Sequence, residues 1–373
     1  MKVTFITSRY PSKDKPYNHM FVHMRCVEML KQGMSVLVYV PSNSSESYIH
    51  EGVNVILKPS KEIIKEIGNN DVLYLHLLNI YPFSKSNGWL IYKHILENNI
   101  ATVFYVHGSE VQKYGARMFE FRYRFKDFLI WFKKDFLVIP KVKRFVKIGL
   151  TKKNIKFLFP SIWMKKDMEV NLGISIPEYN IIPNGIDVNL FKYHNTFDNR
   201  YKMLTLRPLS SKKYAVDQAI KIMSLLPINY TLQIFGKGFY EKQYVQQIKA
   251  LKLEDRVFIK NSFINREDLN SFFSNYGVFL SPTRMDAQGV TMCEAMSSGL
   301  LTVSSLNTAI PEFITNLENG IVGNNLEEVA RQIIESTESL DNFQKITNSA
   351  RKSMEKIAIS KTVEKEIEIL KNV

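Results

Sequence analysis

Short apolar runs alternate with segments of helical periodicity along almost the whole chain. The apolar runs of the first half are Val3–Ile6, Ser35–Val40, Asn54–Leu57, Asp71–Leu75, Ala101–Val106 and Ile155–Phe159. A second set comprises Met203–Leu206, Tyr230–Phe235, Arg256–Ile259, Gly277–Leu280 and Leu300–Val303. Near-continuous apolar strands of this kind are typical of parallel sheets that are covered on both faces.

Helical spacing occupies the intervals between these strands, as in His19–Lys31, Val216–Leu225 and Glu241–Leu251. A strand–helix alternation that occurs twice predicts an α/β protein with two doubly wound, Rossmann-like domains. We place the first domain at 1–190 and the second at 191–350, because turn and polar residues replace the apolar runs between Asn184 and Tyr201. The charged, helical end of the chain, 351–373, is predicted as a separate terminal helix.

Composition agrees with two cores, and charge singles out one segment. The chain has 373 residues, 45% of them hydrophobic, and a formal net charge of +14. Between Lys113 and Asp167 there are 16 Lys and Arg against 4 Asp and Glu, which is +12, so nearly all the excess positive charge lies there.

Cys26 and Cys293 lie in apolar helical patterns and are predicted to be reduced core residues. We expect a cytoplasmic protein, because the sequence shows neither a signal peptide nor a membrane span.

Four polar or glycine positions directly follow predicted strands. They are His107, Arg207, Gly236 and Asp286. Ligands of open parallel sheets bind at the carboxyl ends of the strands. We therefore expect these positions to line one ligand cleft between the two domains.

Two carboxylates flank a predicted helix start in the second half. Asp286 precedes a glycine-containing turn, and Glu294 follows eight positions later (294 − 286), inside a predicted helix over Val290–Ser298. Carboxylates accept hydrogen bonds from sugar hydroxyls, and a helix N-terminus binds phosphate. Arg207 and a lysine at 212 or 213 could hold a diphosphate leaving group. The pattern therefore suits a sugar nucleotide.

These motifs, together with Pro183–Asp187, Phe191 and the pair His107-Gly108, resemble the E-x7-E signature region of the family 4 retaining glycosyltransferases. That family has the two-domain GT-B fold, in which a terminal helix crosses back onto the first domain. The first acid here is Asp286 instead of glutamate, which leaves the identity of the donor sugar open. The loop from Ser8 to Asn18 lacks the paired glycines often found there in the family, which leaves the acceptor side open.

The resemblance implies a role for each matching position. Asp286 would contact the donor sugar and Glu294 the ribose. Arg207 and Lys213, which we prefer to Lys212, would stabilise the diphosphate, and His107 would reach the donor sugar near the reacting carbon. Independently of the resemblance, Gly236 follows a predicted strand, so its backbone could line the nucleotide pocket. Backbone amides that would touch the diphosphate belong to Gly289, Val290 and Thr291.

The resemblance also implies a reaction. A sugar would pass, with retention of configuration, from a nucleotide-diphosphate sugar to a glycan or lipid-linked acceptor, in cell-surface polysaccharide or lipopolysaccharide synthesis. UDP is the expected nucleotide. We expect neither a cofactor nor a metal in the reaction, because the sequence has no Asp-x-Asp and no clustered Cys and His. Two alternatives stay open: a GT-B epimerase or phosphorylase, and a non-catalytic membrane- or polyanion-binding protein.

Aromatic residues interleave with cations in the basic segment 113–167. Phe125, Phe128, Trp131 and Phe132, for example, lie among Arg and Lys residues. Such a pattern suits an anionic membrane surface, so we predict peripheral attachment to the inner face of the membrane. A core helix with a solvated basic face is the alternative. Nucleic acid is not an expected partner, because no nucleic-acid motif accompanies the charge.

Overall fold

The structure is a computed structural model that describes residues 1–68 and 71–373. The chain forms two compact units. Unit 1 comprises Met1–Gly185 and Ile359–Val373, and unit 2 comprises Ile186–Ala358. The polypeptide therefore leaves unit 1 once and returns to it for its last described helix.

The first part of unit 1 alternates strands and helices. Its strands are β1 (Lys2–Thr7), β2 (Ser35–Pro41), β3 (Glu46–His50), β4 (Val53–Lys58), β5 (Leu73–His76), β6 (Thr102–Tyr105), β7 (Ile155–Phe159) and β8 (Asn180–Ile181). Its helices are α1 (Met20–Lys31), α2 (Ser60–Glu66), α3 (Gly88–Asn98), α4 (Phe125–Lys133), α5 (Ile139–Gly149) and α6 (Ile162–Leu172). A 3-10 stretch over Tyr114–Glu120 precedes α4, and a π-helical stretch over Lys134–Val138 joins α4 to α5.

The sheet of unit 1 has the strand order β3-β4-β2-β1-β5-β6-β7-β8. The described pairs are parallel except for β3 with β4, which form an antiparallel hairpin at the edge. The chain adds strands outward from β1, first on the side of β2 and then on the side of β5. This is the arrangement of a doubly wound sheet, which the alternation of strands and helices predicted. The hairpin partner β3 was not predicted, because Glu46–His50 is polar and only part-buried.

Unit 2 is the second doubly wound sheet. Its strands are β9 (Lys202–Leu206), β10 (Thr231–Phe235), β11 (Val257–Lys260), β12 (Val278–Leu280), β13 (Leu301–Ser304) and β14 (Ile321–Val322), in the order β11-β10-β9-β12-β13-β14. The described pairs are all parallel. Its helices are α7 (Val216–Leu225), α8 (Glu241–Ala250), α9 (Leu269–Phe273), α10 (Val290–Ser297), α11 (Leu326–Glu338) and α12 (Leu340–Lys356).

The helical end of the chain is divided between the two units. Helix α12 belongs to unit 2, where Ala350 and Met354 join the apolar cluster around Phe191 and Phe279. The last helix, α13 (Ile359–Lys371), belongs to unit 1, and its apolar side, including Val363, completes the cluster formed by β1, β2 and α1. Burying apolar side chains in this way supplies most of the free energy that holds α13 in place.

Within the described part of the chain, none of the helices combines the length and apolar character needed to cross a membrane. Both cysteines, Cys26 and Cys293, are free and fully buried. Burial raises the pKa of each thiol, so both are unreactive core groups at neutral pH.

Candidate functional site

Three of the predicted site residues lie at the carboxyl ends of neighbouring strands in unit 2. Arg207 follows β9, Gly236 follows β10, and Asp286 lies in the loop after β12. These strands are adjacent in the sheet, in the order β10-β9-β12. The sheet therefore gathers the three positions at one edge, where open α/β sheets bind their ligands.

Gly236 lets the first two strand ends approach each other. The Arg207 backbone amide donates to the Phe235 carbonyl at 3.1 Å. The φ of Gly236 is 157°, and a Cβ added there would lie 2.0 Å from the Arg207 carbonyl oxygen. Any side chain at this position would displace the backbone of Arg207, so glycine is required by the contact itself.

The Arg207 side chain is buried, with 6% of it exposed. Its Nη2 donates to Ser281 Oγ, and its Nη1 lies 3.7 Å from Asp286 Oδ2. Arg207 Nε is buried and has no hydrogen-bond partner among the described residues. A buried guanidinium with an unused N–H group is ready to bind an additional anionic or polar ligand atom.

The two candidate lysines point to different aromatic rings. Both belong to the short 3-10 turn Lys212–Tyr214 between β9 and α7. Lys213 Nζ lies 4.7 Å from the centre of the Tyr214 ring, and the Arg207 guanidinium carbon lies 5.1 Å from the same centre. Lys212 Nζ instead lies 5.3 Å from the ring of Tyr240. Lys213 is thus the lysine that shares an aromatic neighbour with Arg207.

The same turn is held against the loop that leads to Asp286. The carbonyl of Lys213 accepts from the Arg284 backbone amide at 2.7 Å, and the carbonyl of Lys212 accepts from Arg284 Nη1 at 2.8 Å. Arg284 also makes a two-pronged ion pair with Asp217, at 2.9 and 2.6 Å. Arg284 is therefore a connector that the sequence analysis missed, and a lone arginine in a turn carries no signal that would reveal it.

Asp286 shapes the loop in front of α10. Its Oδ1 accepts from the backbone amides of Gln288 at 3.2 Å and Gly289 at 2.9 Å, while Oδ2 is the oxygen nearest Arg207. Gly289 takes a φ of 79° and is the residue from which α10 starts. One carboxylate oxygen thus orders the turn, and the other remains beside the cationic side chain of Arg207.

Gly289, Val290 and Thr291 form the start of α10. The first intrahelical hydrogen bond that includes Gly289 runs from the Cys293 amide to its carbonyl, at 3.0 Å. The first turn of an α-helix has N–H groups without intrahelical acceptors and carries a partial positive charge. The predicted diphosphate-binding amides lie directly beside Asp286, and the first of them, that of Gly289, already donates to Asp286 Oδ1. The helix end itself is suited to an anion.

Glu294 lies on α10 and is buried against an arginine. Its Oε1 accepts from Arg266 Nη1 at 3.0 Å, and the Arg266 guanidinium carbon lies 5.1 Å from the centre of the Phe191 ring. Burial raises the pKa of Glu294, whereas Arg266 opposes that rise. Arg266 was not predicted, because it lies in a polar turn between β11 and α9, 28 positions from its partner.

His107 belongs to unit 1, whereas the other predicted site residues all belong to unit 2. It follows β6, and its Nε2 is 2.9 Å from His76 Nδ1. Burial lowers the pKa of both His107 and His76 well below the ordinary range, so both imidazoles are neutral at pH 7. The His107 backbone amide donates to Glu110 Oε1 at 2.7 Å, which fixes the turn after the strand.

Comparison with protein families identifies the segment that contains most of this site. The model of the family described as "Glycosyl transferases group 1" matches residues 189–353. The match includes Arg207, both lysines, Gly236, Asp286 and Glu294. The family model thus matches only within unit 2, over somewhat less than half of the chain.

Two curated proteins match part of the chain. The O-antigen biosynthesis glycosyltransferase WclY of Escherichia coli is 28% identical over 176 residues, which are 42% of this chain and 48% of WclY. The GtfA subunit of the UDP-N-acetylglucosamine–peptide N-acetylglucosaminyltransferase of Streptococcus gordonii is 27% identical over 127 residues, 33% of this chain and 24% of GtfA. The matches thus span about half and about a quarter of the length of these relatives.

Solved structures match the chain over its whole length. HepE of Anabaena, crystallised with UDP, superimposes with a TM-score of 0.74 at 15% identity and covers 100% of both chains. This chain has the GT-B fold. Sucrose-phosphate synthase of Thermosynechococcus elongatus also matches, with a TM-score of 0.72 at 12% identity over 100% of this chain and 98% of the synthase. The fold prediction is confirmed. The matching family model and both matching curated relatives are those of glycosyltransferases.

Proposed function

We propose that the protein is a retaining glycosyltransferase that transfers a sugar from a nucleotide-diphosphate sugar, with UDP as the nucleotide. The observation that carries the proposal is the sequence of groups at one sheet edge of unit 2: Asp286, the N-terminus of α10, and Glu294, with Arg207 alongside. A nucleotide sugar presents hydroxyl groups and a diphosphate, which carboxylates and a helix N-terminus bind respectively.

Each group has a role in this proposal. Glu294 holds the ribose, and Asp286 holds the donor sugar. The amides of Val290 and Thr291 at the start of α10 bind the diphosphate together with Arg207 and Lys213, while the Gly289 amide stays bonded to Asp286. Negative charge accumulates on the diphosphate as the glycosidic bond breaks, and fixed cations lower the barrier for that step. The role of His107 toward the donor sugar stays a prediction.

The choice of UDP has support from the relatives. HepE was crystallised with UDP and with UDP-glucose, and the name of the GtfA enzyme specifies UDP-N-acetylglucosamine. The acceptor in the proposal is a glycan or a lipid-linked glycan, and WclY, whose name places it in O-antigen biosynthesis, favours a role in the assembly of cell-surface polysaccharide or lipopolysaccharide.

Calorimetric titration with UDP and GDP tests the proposal. We expect UDP to bind one to one, and we expect Arg207→Ala to weaken binding by roughly 10- to 100-fold, since it removes charge-assisted hydrogen bonds. Arg331→Ala is the matched control, because Arg331 is an exposed arginine of the same unit that pairs with Glu328 and Glu335 of its own helix. If neither nucleotide binds the folded wild type, the nucleotide-sugar site is wrong, and the non-catalytic alternative takes its place.

We also propose that unit 1 attaches to an anionic membrane through the basic segment 113–167. Helix α4 has no buried residue, although it reads Phe-Lys-Asp-Phe-Leu-Ile-Trp-Phe-Lys. Phe125 is 77% exposed, and Phe136, just beyond the helix, is 65% exposed. The alternative of a core helix with one solvated face is therefore wrong for α4.

Exposed aromatic side chains beside cations can enter a lipid interface while the cations approach acidic headgroups. The cytoplasmic leaflet carries most of the anionic lipid, so the proposal places the protein there. Co-sedimentation with vesicles of neutral lipid, and with vesicles containing added phosphatidylserine, tests it. We expect binding to increase strongly with phosphatidylserine content and to weaken with salt. Equal binding to both kinds of vesicle would contradict the proposal.

A further inference from the structure

Two histidines and a glutamate meet in unit 1 at the turn between β3 and β4. His23 is a buried residue of α1, His50 is the last residue of β3, and Glu51 follows it in the turn. One possible ligand atom from each of the three side chains lies within 4.8 Å of the other two. The three side chains thus converge from two separate elements on a volume the size of one ion.

The distance between two of these groups suits a bound metal. His23 Nε2 and Glu51 Oε2 are 3.1 Å apart. Two ligands that are each about 2.0–2.1 Å from a tetrahedral zinc ion lie about 3.3 Å from one another. The observed distance of 3.1 Å is close to that value, and the Glu51 side chain is exposed.

The other side of the His23 ring is held in the way that metal-binding imidazoles require. Tyr10 Oη lies 2.8 Å from His23 Nδ1, and Tyr10 also shares a side-chain hydrogen bond with Cys26. If the Tyr10 hydroxyl donates to the Cys26 sulfur, its oxygen accepts from Nδ1–H of His23. The lone pair of His23 is then on Nε2, which faces Glu51. Imidazole ligands are commonly oriented by such a second hydrogen bond.

A buried ring nitrogen of His50 is a second indication of a metal site. Its Nε2 is buried and has no hydrogen-bond partner within the described ranges 1–68 and 71–373. The rings of His50 and His23 have their centres 4.6 Å apart and are inclined by 54°. A buried ring nitrogen without a partner costs free energy, and coordination of a cation would satisfy it.

The turn that carries Glu51 is also unusual. Glu51 and Gly52 have φ angles of 45° and 80°, as in the two-residue hairpin turns whose first position favours Asn, Asp or Gly. A glutamate in the left-handed region is strained. The turn places Glu51 next to His50 in the chain, and its carboxylate lies beside His23.

We infer that His23, His50 and Glu51 form a binding site for one divalent transition-metal ion of the zinc class. Two imidazoles and one carboxylate suit zinc better than magnesium or calcium, and three protein ligands leave one coordination position for water or another ligand. The ion would tie the β3–β4 turn to α1. The glycosyl-transfer proposal above gives none of these three residues a role. The sequence did not reveal it, because His23 and His50 are 27 positions apart (50 − 23).

Titration of the EDTA-treated full chain with Zn²⁺, followed by calorimetry, tests the site. Co²⁺ is the second probe, because a tetrahedral cobalt site absorbs strongly in the visible range. His50→Gln and Glu51→Gln remove partly exposed ligands and should leave the fold intact. Tyr10→Phe removes the group that orients His23. The matched controls are His94→Gln and Glu46→Gln, since His94 lies on α3 and Glu46 starts β3 away from the cluster.

We expect one Zn²⁺ per chain and a tetrahedral cobalt spectrum. His50→Gln and Glu51→Gln should each weaken binding by at least about tenfold, and Tyr10→Phe by about 10- to 100-fold. Zn²⁺ should raise the melting temperature of the wild type and of both controls, and should raise that of the two ligand variants by less at the same Zn²⁺ concentration. Binding that is absent in the wild type overturns the inference. So does binding that either ligand variant retains at full strength.

Discussion

Arg25 on α1 and Glu366 on α13 form a buried ion pair in unit 1, with Arg25 Nε donating to Glu366 Oε1 across 2.9 Å. The two side chains are 2% and 0% exposed. Arg25 Nη1 also donates to Asn184 Oδ1 at 3.0 Å, and the guanidinium carbon lies 4.3 Å from the centre of the Tyr105 ring. The pair joins the first helix of the unit to the last, across 341 positions of sequence.

Removing one partner of this pair should lower the free energy of unfolding of unit 1. Glu366→Ala leaves a buried arginine without its counter-charge, so we expect a loss of about 3–5 kcal/mol in the stability of unit 1. Thermal unfolding measures the loss, and Glu368→Ala, an exposed acid on the same helix, is the control. The double change Arg25→Met with Glu366→Leu should recover much of the stability, because apolar groups can replace a buried pair. A Glu366→Ala variant as stable as the control would contradict this account.

The two lysines of the 212–214 turn should differ in their effect on nucleotide binding. Lys213 shares the Tyr214 ring with Arg207, whereas Lys212 lies over Tyr240. We expect Lys213→Ala to weaken UDP binding by roughly 10-fold or more, because it removes a charged contact to the diphosphate. Lys212→Ala should change the Kd by less than about threefold. Calorimetry on both variants decides between them, and equal losses would remove the reason for preferring Lys213.

Arg266 should set the pH range in which Glu294 can bind the ribose. Burial raises the pKa of Glu294, and Arg266 holds that rise back. Arg266→Ala therefore raises the pKa further, so the carboxylate becomes protonated at a higher pH than in the wild type. If the ionised form binds the ribose, UDP affinity falls as the pH decreases, and it should begin to fall at a higher pH in Arg266→Ala.

UDP titrations between pH 5 and pH 8 measure this shift. Arg331→Ala is again the control, since its side chain is exposed on α11 and distant in sequence from Glu294. An affinity profile for Arg266→Ala that is parallel to that of the wild type would show that the Glu294 carboxylate is not the titrating group.

His19 should make the stability of unit 1 sensitive to acid. Burial, followed by the nearby charge of Arg9, lowers the pKa of His19 from 6.5 to about 4. The unfolded chain therefore takes up this proton near pH 6.5, while the native state resists it until about pH 4. The contribution to stability is complete above pH 6.5 and is lost as the pH falls from 6.5 toward 4.

The variant His19→Asn isolates this effect, because asparagine tolerates the φ of 50° found at this position. We expect the melting temperature of the wild type to fall more steeply between pH 6.5 and pH 4.5 than that of His19→Asn. His94→Gln, whose histidine is on the surface helix α3, should follow the wild type. A His19→Asn profile that coincides with the wild-type profile would show that His19 titrates normally.

The exposed face of α4 should contribute to membrane binding but not to folding. Phe125 and Phe128 are 77% and 53% exposed, so replacing both by serine removes little buried apolar area. We expect the melting temperature to change by less than about 2 °C and vesicle binding to fall several-fold, since each aromatic ring would otherwise enter the lipid interface. Ile228→Ser, a 74% exposed apolar residue of unit 2, is the control for vesicle co-sedimentation.

The sequence was sufficient to predict those elements whose residues are apolar and close together in the chain. The strands that precede Arg207, Gly236 and Asp286 were predicted from continuous apolar runs, and the rule for strand ends then indicated which polar residues to examine. Strand β3 was not predicted, because its residues are polar. It forms by pairing with β4 through the turn at Glu51 and Gly52. A hairpin of that kind depends on backbone pairing, which hydrophobic spacing does not record.

Long-range partners could not be predicted. Arg266 with Glu294, and Arg25 with Glu366, are ion pairs between elements that only the folded chain brings together. The division of the helical tail was likewise invisible, because α12 and α13 both have one apolar face and neither face specifies the unit it covers. Amphipathic spacing predicts that a helix buries one face, but the surface that it packs against depends on the complementary residues of the folded chain.

Because α13 belongs to unit 1, the order of synthesis and the order of folding differ in this chain. The ribosome makes β1 to β8 first, but the apolar surface that α13 covers stays open until all of unit 2 has been made, 173 residues later (358 − 186 + 1). At about 5–20 residues per second, that interval lasts roughly 9–35 seconds. Unit 2 can complete its own core during this time, so the second unit of the chain is able to finish folding before the first. A nascent chain that stalls before Ile359 would expose the β1–β2 side of unit 1 to chaperones.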